Sequence, residues 1–111
     1  MFQSTKQGAV SVISGDQPLN SENVEQIAEL FDECLSDGTP IAVLDMGRVP
    51  LVDSAGLELL LNVLESFETR GGELKLAAPN VLCRDALSAS GVGDHVETFD
   101  DVIEAVRSFL K

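Results

Sequence analysis

The sequence predicts an α/β domain built on a mostly parallel sheet. Three observations carry this reading. Strand-like and helix-like segments alternate four times along the 111 residues. Residues 41–45 (IAVLD) form an unbroken apolar run, the pattern of a strand covered on both faces. Most helix-like segments place their apolar residues on one stripe, so each has one face to bury against a sheet.

The elements follow in order. Residues 8–14 (GAVSVIS) alternate small apolar and β-branched residues and read as a strand. Gly15-Asp16-Gln17-Pro18 reads as a turn. Asn20 and Ser21 are good helix N-caps. After them Val24, Ile27, Ala28, Phe31, Cys34 and Leu35 recur at helical spacing, and Gly38 stands where a C-cap glycine belongs. The strand 41–45 comes next, then the interruption Gly47-Arg48-Val49-Pro50. Residues 54–70 form a second helix closed by Gly71-Gly72. Residues 74–77 (LKLA) are a strand. Pro79-Asn80 opens a third, shorter helix that ends near Gly91. Residues 96–99 are a last strand. Asp100 and Asp101 suit the N-terminus of a final helix, whose expected stripe is Val102, Ile103, Val106, Phe109 and Leu110. Residues 2–6 offer an added edge strand. The expectation is one domain over residues 1–111, core about 8–110, with a four- to five-stranded mostly parallel or mixed sheet and about four helices.

Composition narrows the function. Apolar residues make up 44% of the chain, enough for a core without staples. No apolar run approaches the roughly 20 residues a membrane helix needs. No charged and then apolar leader opens the chain, so a cytoplasmic bacterial protein is expected. Cys34 and Cys83 lie at no metal-ligand spacing; two reduced core thiols are the preferred reading, with a disulfide left open. The net charge is −12. No Lys or Arg occurs between Lys6 and Arg48, whereas eight acids do. A nucleic-acid binder needs a basic footprint, so nucleic acid is not expected as a partner. Direct binding to anionic membrane is disfavoured for the same reason. The acidic surface is read first as a solvated face, second as a field that steers a basic protein.

The helix from Ser54 is the unusual element. Leu57, Leu60, Leu61, Leu64 and Phe67 are its expected core stripe. Leu59 and Val63 lie outside that stripe, and Glu58, Asn62, Glu65 and Ser66 make a narrow polar strip. Either a neighbouring helix covers Leu59 and Val63, or they dock a partner. Asp53 is a natural N-cap, and Ser54 is then the first helical residue. Ala55 and Gly56 are small, which would let another surface approach closely. A phosphate on Ser54 would meet free N–H groups and the positive end of the helix dipole.

These residues resemble the signature of the STAS domain family, in particular of bacterial anti-sigma factor antagonists. The family pattern of an apolar pair, Asp-Ser-small-Gly-Leu and an apolar helix reads here Leu51-Val52-Asp53-Ser54-Ala55-Gly56-Leu57. VSVISGD resembles the family's first core strand and turn, and IAVLDMGRVPLVDS the buried strand and loop before the switch serine. RGGELKLAAPN resembles the Gly-Gly turn and next strand, and ALSASGVGDHVETFDD the close before the last strand. The resemblance implies a phosphorylation site at Ser54. It implies partner contacts from Asp53, Ser54, Ala55, Gly56, Leu57, Glu58, Leu59, Asn62 and Val63. The unphosphorylated form would bind an anti-sigma factor that is also an ATP-dependent serine kinase, releasing a sigma factor. Phosphorylation would break that complex and a phosphatase would restore it. The domain would be substrate and ligand, not an enzyme, and would need no cofactor or metal. Two features depart from the family pattern: Glu58 stands where a small residue is common, and the loop GDQPLN lacks an acidic residue after its apolar position.

Three other readings compete with this one. The same motif resembles STAS subunits that clamp an ABC transporter ATPase without being phosphorylated. A response-regulator receiver would use Asp45, but Asp16 stands alone after the first strand and no Lys follows residues 96–99. A hydrolase would need His95, the only histidine, as base for Ser54, and no G-x-S-x-G elbow surrounds that serine. No P-loop or dinucleotide-binding glycine pattern is present.

Overall fold

Strand order explains where the helices sit. The computed structural model describes residues 1–36 and 38–110. Among them the chain forms β1 (Gln3–Gln7), β2 (Val10–Ser14), α1 (Val24–Leu35), β3 (Ile41–Asp45), α2 (Ser54–Thr69), β4 (Glu73–Ala77), α3 (Val81–Ser90), β5 (Thr98–Phe99) and α4 (Val102–Ser108). The sheet order is β1-β2-β3-β4-β5. β1 pairs antiparallel with β2, and every later pair is parallel. Each parallel crossover therefore steps one strand over in the same direction. Right-handed connections then put α1, α2 and α3 on one face of the sheet.

The core is divided accordingly. Ile13, Ala42, Leu44, Leu74 and Leu76 point to the three-helix face, where they pack with Ile27, Phe31, Leu60 and Phe67. Val10, Val12, Val43 and Ala77 point the other way, toward Ala105 of α4. Both faces of β3 are buried, which is why its sequence lacks alternation. The rings of Phe31 and Phe67 meet edge to face at 6.0 Å and tie α1 to α2. Lys75 is buried on the α4 face. Its Nζ donates to Ser108 Oγ at 2.7 Å and lies 4.2 Å from the centre of the Phe109 ring. Its charge is answered by Glu97 at 3.7 Å.

Three helix starts lie where their capping residues predict. Asp53, Asn80 and Asp101 accept from the backbone N–H groups of Gly56, Cys83 and Glu104. Gly91, at φ +83°, closes α3 in the left-handed conformation. Other expectations need correction. Residues 3–7 are a full edge strand, joined to β2 through Gly8 (φ +64°) and Ala9, so β2 starts at Val10 rather than residue 8. α1 starts at Val24, because Asn20 caps a preceding turn, accepting from Glu22 N at 3.1 Å. β5 is only Thr98–Phe99, after a 3-10 turn at Val92–His95 that the sequence reading lacked. The buried face of α4 centres on Ala105, while Ile103 and Leu110 are exposed. Cys34 and Cys83 are separate buried free thiols.

Candidate functional site

The loop before α2 is stitched to the loop after β2. Leu19 N donates to Leu51 O at 3.0 Å, and Asp53 N donates to Leu19 O at 3.1 Å. Leu19 and Val52 thus form an isolated parallel bridge at the rim of the sheet. From the other side, Asn80 Nδ2 donates to Val49 O (3.3 Å) and Pro50 O (3.2 Å). The segment that delivers Ser54 is therefore clamped between the start of α1 and the start of α3.

That clamp fixes the first turn of α2. Asp53 is extended, and its carboxylate accepts from Gly56 N at 3.1 Å. Ser54 follows as the first helical residue, with its side chain exposed. Two of the expected partner contacts turn out to be core positions. Gly56 is buried, and a Cβ there would collide with the Leu19 backbone, so its smallness serves intramolecular packing. Val63 is only 6% exposed and belongs to the core with Leu60 and Phe67, because the true stripe of α2 is Gly56, Leu60, Val63 and Phe67. Leu60 and Phe67 are as expected, but Gly56 and Val63 are buried while Leu57 and Leu64 are half-buried and Leu61 is exposed. Leu57 is half-buried and packs on the core.

The remaining expected contacts share one surface. Ala55 and Leu59 of α2 face Val24 and Ala28 of α1 across a shallow groove of about 280 Å³. Glu25, Glu58 and Asn62 line it as well. The choice for Leu59 and Val63 is thus split: Val63 is covered, whereas Leu59 is half-buried in an open groove beside Ser54. Leu51, three residues before Ser54, and Val81 and Leu82 in the first turn of α3 are exposed by 44%, 73% and 66%. The sequence reading missed this trio. Its signal was present: Val81 and Leu82 fall outside the Cys83–Leu87 stripe of α3.

The residues invoked by the rival readings lie elsewhere or do other work. Asp45 Oδ1 accepts from Gly47 N at 2.9 Å and shapes the turn after β3. His95 stands beside the C-terminal half of α2, at the opposite end from Ser54. Burial pushes the Cys83 thiol up, the hydrogen bond at Asn80 opposing this in part. Among the described residues, no three His, Cys, Asp or Glu side chains converge as metal ligands. Also among them, no helix is long and apolar enough to cross a membrane.

The STAS domain model matches residues 1–105. The chain belongs to the STAS domain family. A Thermotoga maritima protein named as a candidate anti-sigma factor antagonist is 30% identical over 88% of both chains. The crystal structure of a Thermotoga maritima protein of that description superposes with a TM-score of 0.91 at 27% identity, covering 99% of this chain and 95% of that one. Unphosphorylated SpoIIAA shares the fold, with a TM-score of 0.82 at 23% identity over 98% of this STAS domain and 96% of SpoIIAA.

Proposed function

We propose that this STAS domain is a phosphorylation-controlled partner switch centred on Ser54. With Ser54 unmodified, the face formed by Asp53, Ser54, Ala55, Glu58, Leu59 and Asn62 binds an anti-sigma factor that is also a serine kinase, and a sigma factor is released. The kinase transfers the γ-phosphoryl group of ATP to Ser54 Oγ, and the complex separates. A phosphatase hydrolyses the ester and resets the switch.

The observation that carries this reading is the exposed hydroxyl of Ser54 at the first position of a helix whose start is rigidly held. Helix starts leave their first amides without intrahelical partners and carry positive potential. A phosphate there is tolerated by the fold. The same group adds about 1.5 to 2 negative charges. It would stand at the mouth of a groove that already holds Glu25 and Glu58. A partner seated against Ala55 and Leu59 would then face a hydrated dianion, which is costly to bury. SpoIIAA, a protein of the same fold, is described in both unphosphorylated and phosphorylated forms.

The test is direct. The protein is incubated with ATP and each histidine-kinase-like ATPase encoded beside it, and phosphate is located by mass spectrometry. Labelling at Ser54, with loss of kinase binding, is expected. Absence of label with every such kinase, together with copurification of an ABC ATPase, would replace the switch with a transporter scaffold.

A further inference from the structure

A second concavity lies away from Ser54. It is a groove of about 810 Å³ between the C-terminal half of α2, the start of β4 and the segment Asp94–Glu97. Its floor is apolar: Phe67 and Leu74 are buried beneath it, and Leu61, Leu64 and Val96 are partly exposed along it. Its rim is acidic, with Glu65 and Glu68 on one side and Glu73 and Asp94 around the rest; Glu97 also lines it, but its carboxylate lies 3.7 Å from Lys75 Nζ. No Lys or Arg lines it.

Two features of α2 sharpen this pattern. First, Leu61 is 44% exposed in the middle of a core helix, although its neighbours Leu60 and Val63 are buried. Second, the helix dipole favours cations at a C-terminus. The last turn of α2 has no basic residue and instead carries Glu68, with Glu65 just before it. Carboxylates at this end oppose the dipole, and the C-cap residue Arg70 donates to Leu35 O at 2.6 Å. Lys75, on the opposite face of the sheet, pairs with Glu97, which leaves Glu65, Glu68, Glu73 and Asp94 as the carboxylates of the groove.

We propose that this groove docks a basic amphipathic segment of a second protein partner. Apolar side chains of that segment cover Leu61, Leu64 and Val96, and its Lys or Arg residues pair with the rim carboxylates. Charge complementarity selects this occupant. A neutral apolar segment would leave the rim carboxylates desolvated without partners. A second copy of this chain would bring another acidic surface, since the net charge is −12. The groove's lining on α2 lies about 10–20 Å along the helix from Ser54 at 1.5 Å rise per residue. Asn62 lines both this groove and the one beside Ser54, so the two surfaces meet there.

The probe is a synthetic helical peptide with leucines on one face and lysines on the other. Its control is a peptide of the same composition in scrambled order. Binding is followed by fluorescence anisotropy and by 15N amide shifts of the intact protein. The expected shifts centre on Leu61, Leu64, Gly72 and Asp94–Glu97. The scrambled peptide binds at least tenfold more weakly. Leu61→Ser and Glu68→Gln each weaken the patterned peptide severalfold without moving the thermal midpoint by more than a few degrees. Glu29→Gln, on the acidic face of α1, leaves affinity unchanged, and so does Ser54→Asp. Equal binding of the two peptides, or shifts spread over α1, would show charge attraction alone and overturn the proposal. So would no binding, or displacement of the peptide by spermine at similar concentration, which would assign the groove to a small polycation.

Discussion

The backbone of Gly56 rests directly on the backbone of Leu19. A Cβ on Gly56 would lie 2.8 Å from Leu19 Cβ and closer still to the Leu19 carbonyl oxygen. Leu19 is fully buried and hydrogen-bonded on both sides to the loop before α2, at Leu51 O and Asp53 N. Neither backbone has room to retreat. Gly56→Ala should therefore destabilise the domain by about 1–3 kcal/mol through overpacking, despite alanine's better helix propensity. For a domain of this size that is a fall in midpoint of roughly 4–8 °C per kcal/mol. Chemical denaturation checks it; an unchanged or higher midpoint would mean that the first turn of α2 can slide off Leu19.

Ser54 behaves in the opposite way, because its side chain is exposed. Ser54→Asp should weaken kinase binding by tenfold or more while shifting the midpoint by no more than about 2 °C, since a negative charge is welcome at a helix start. Ser54→Ala should bind constitutively and resist release by ATP. Isothermal titration with the kinase, in parallel with a thermal melt, reads both. If Ser54→Asp unfolds, the serine is structural and the switch reading loses its basis.

Lys75 tests how α4 is held. Its Nζ bonds Ser108 and lies near the rings of Phe109 and Phe99. Lys75→Ala removes the stem as well as these contacts, and is expected to cost about 2 kcal/mol. Lys75→Met keeps most of the packing and should cost less than half as much. Hydrogen exchange should localise the loss to α4, leaving α1 and α2 protected. Uniform loss of protection would contradict a local latch.

Cys83 supplies a pH signature. Burial holds its thiol above the ordinary value of 9.0. The unfolded chain then ionises first as pH rises, so its folding stability falls above about pH 9. Below that value both states are protonated and the thiol contributes no pH dependence. Cys83→Ala should flatten this part of the stability curve between pH 8.5 and about 10, while lowering stability overall through the cavity it leaves. An alkaline limb that persists unchanged in Cys83→Ala would assign it to another group.

Much of this domain is legible in its sequence because local rules and tertiary demands agree. Residues 41–45 read as a doubly covered strand because β3 has a partner strand on each side and helices on both faces. Asp53, Asn80 and Asp101 read as caps because each accepts the hydrogen bond its type prefers. The errors fall where periodicity is degenerate. In α2, leucine or valine occupies positions 57, 59, 60, 61, 63 and 64, so hydrophobicity cannot fix the rotation of the helix about its axis. Packing on Leu19 and Phe31 does fix it, burying Val63 and turning Leu61 outward. The 3-10 turn at Val92–His95 escaped because four residues are too short to show a period.

By itself, the sequence determined the alternation of strands and helices, the position of Ser54 behind its cap, and the acidic character that disfavours nucleic acid. These depend on neighbouring residues and on composition. Only the tertiary structure decided that Gly56 and Val63 belong to the core, and that Leu59 lines a groove with Val24 and Ala28 of α1. It also decided that Leu61 overlooks a second, acidic groove at the far end of the helix. Those facts depend on which side of α2 meets the sheet. That orientation is set by contacts between residues distant in the chain, above all the Leu19 backbone lying where a side chain on residue 56 would otherwise stand.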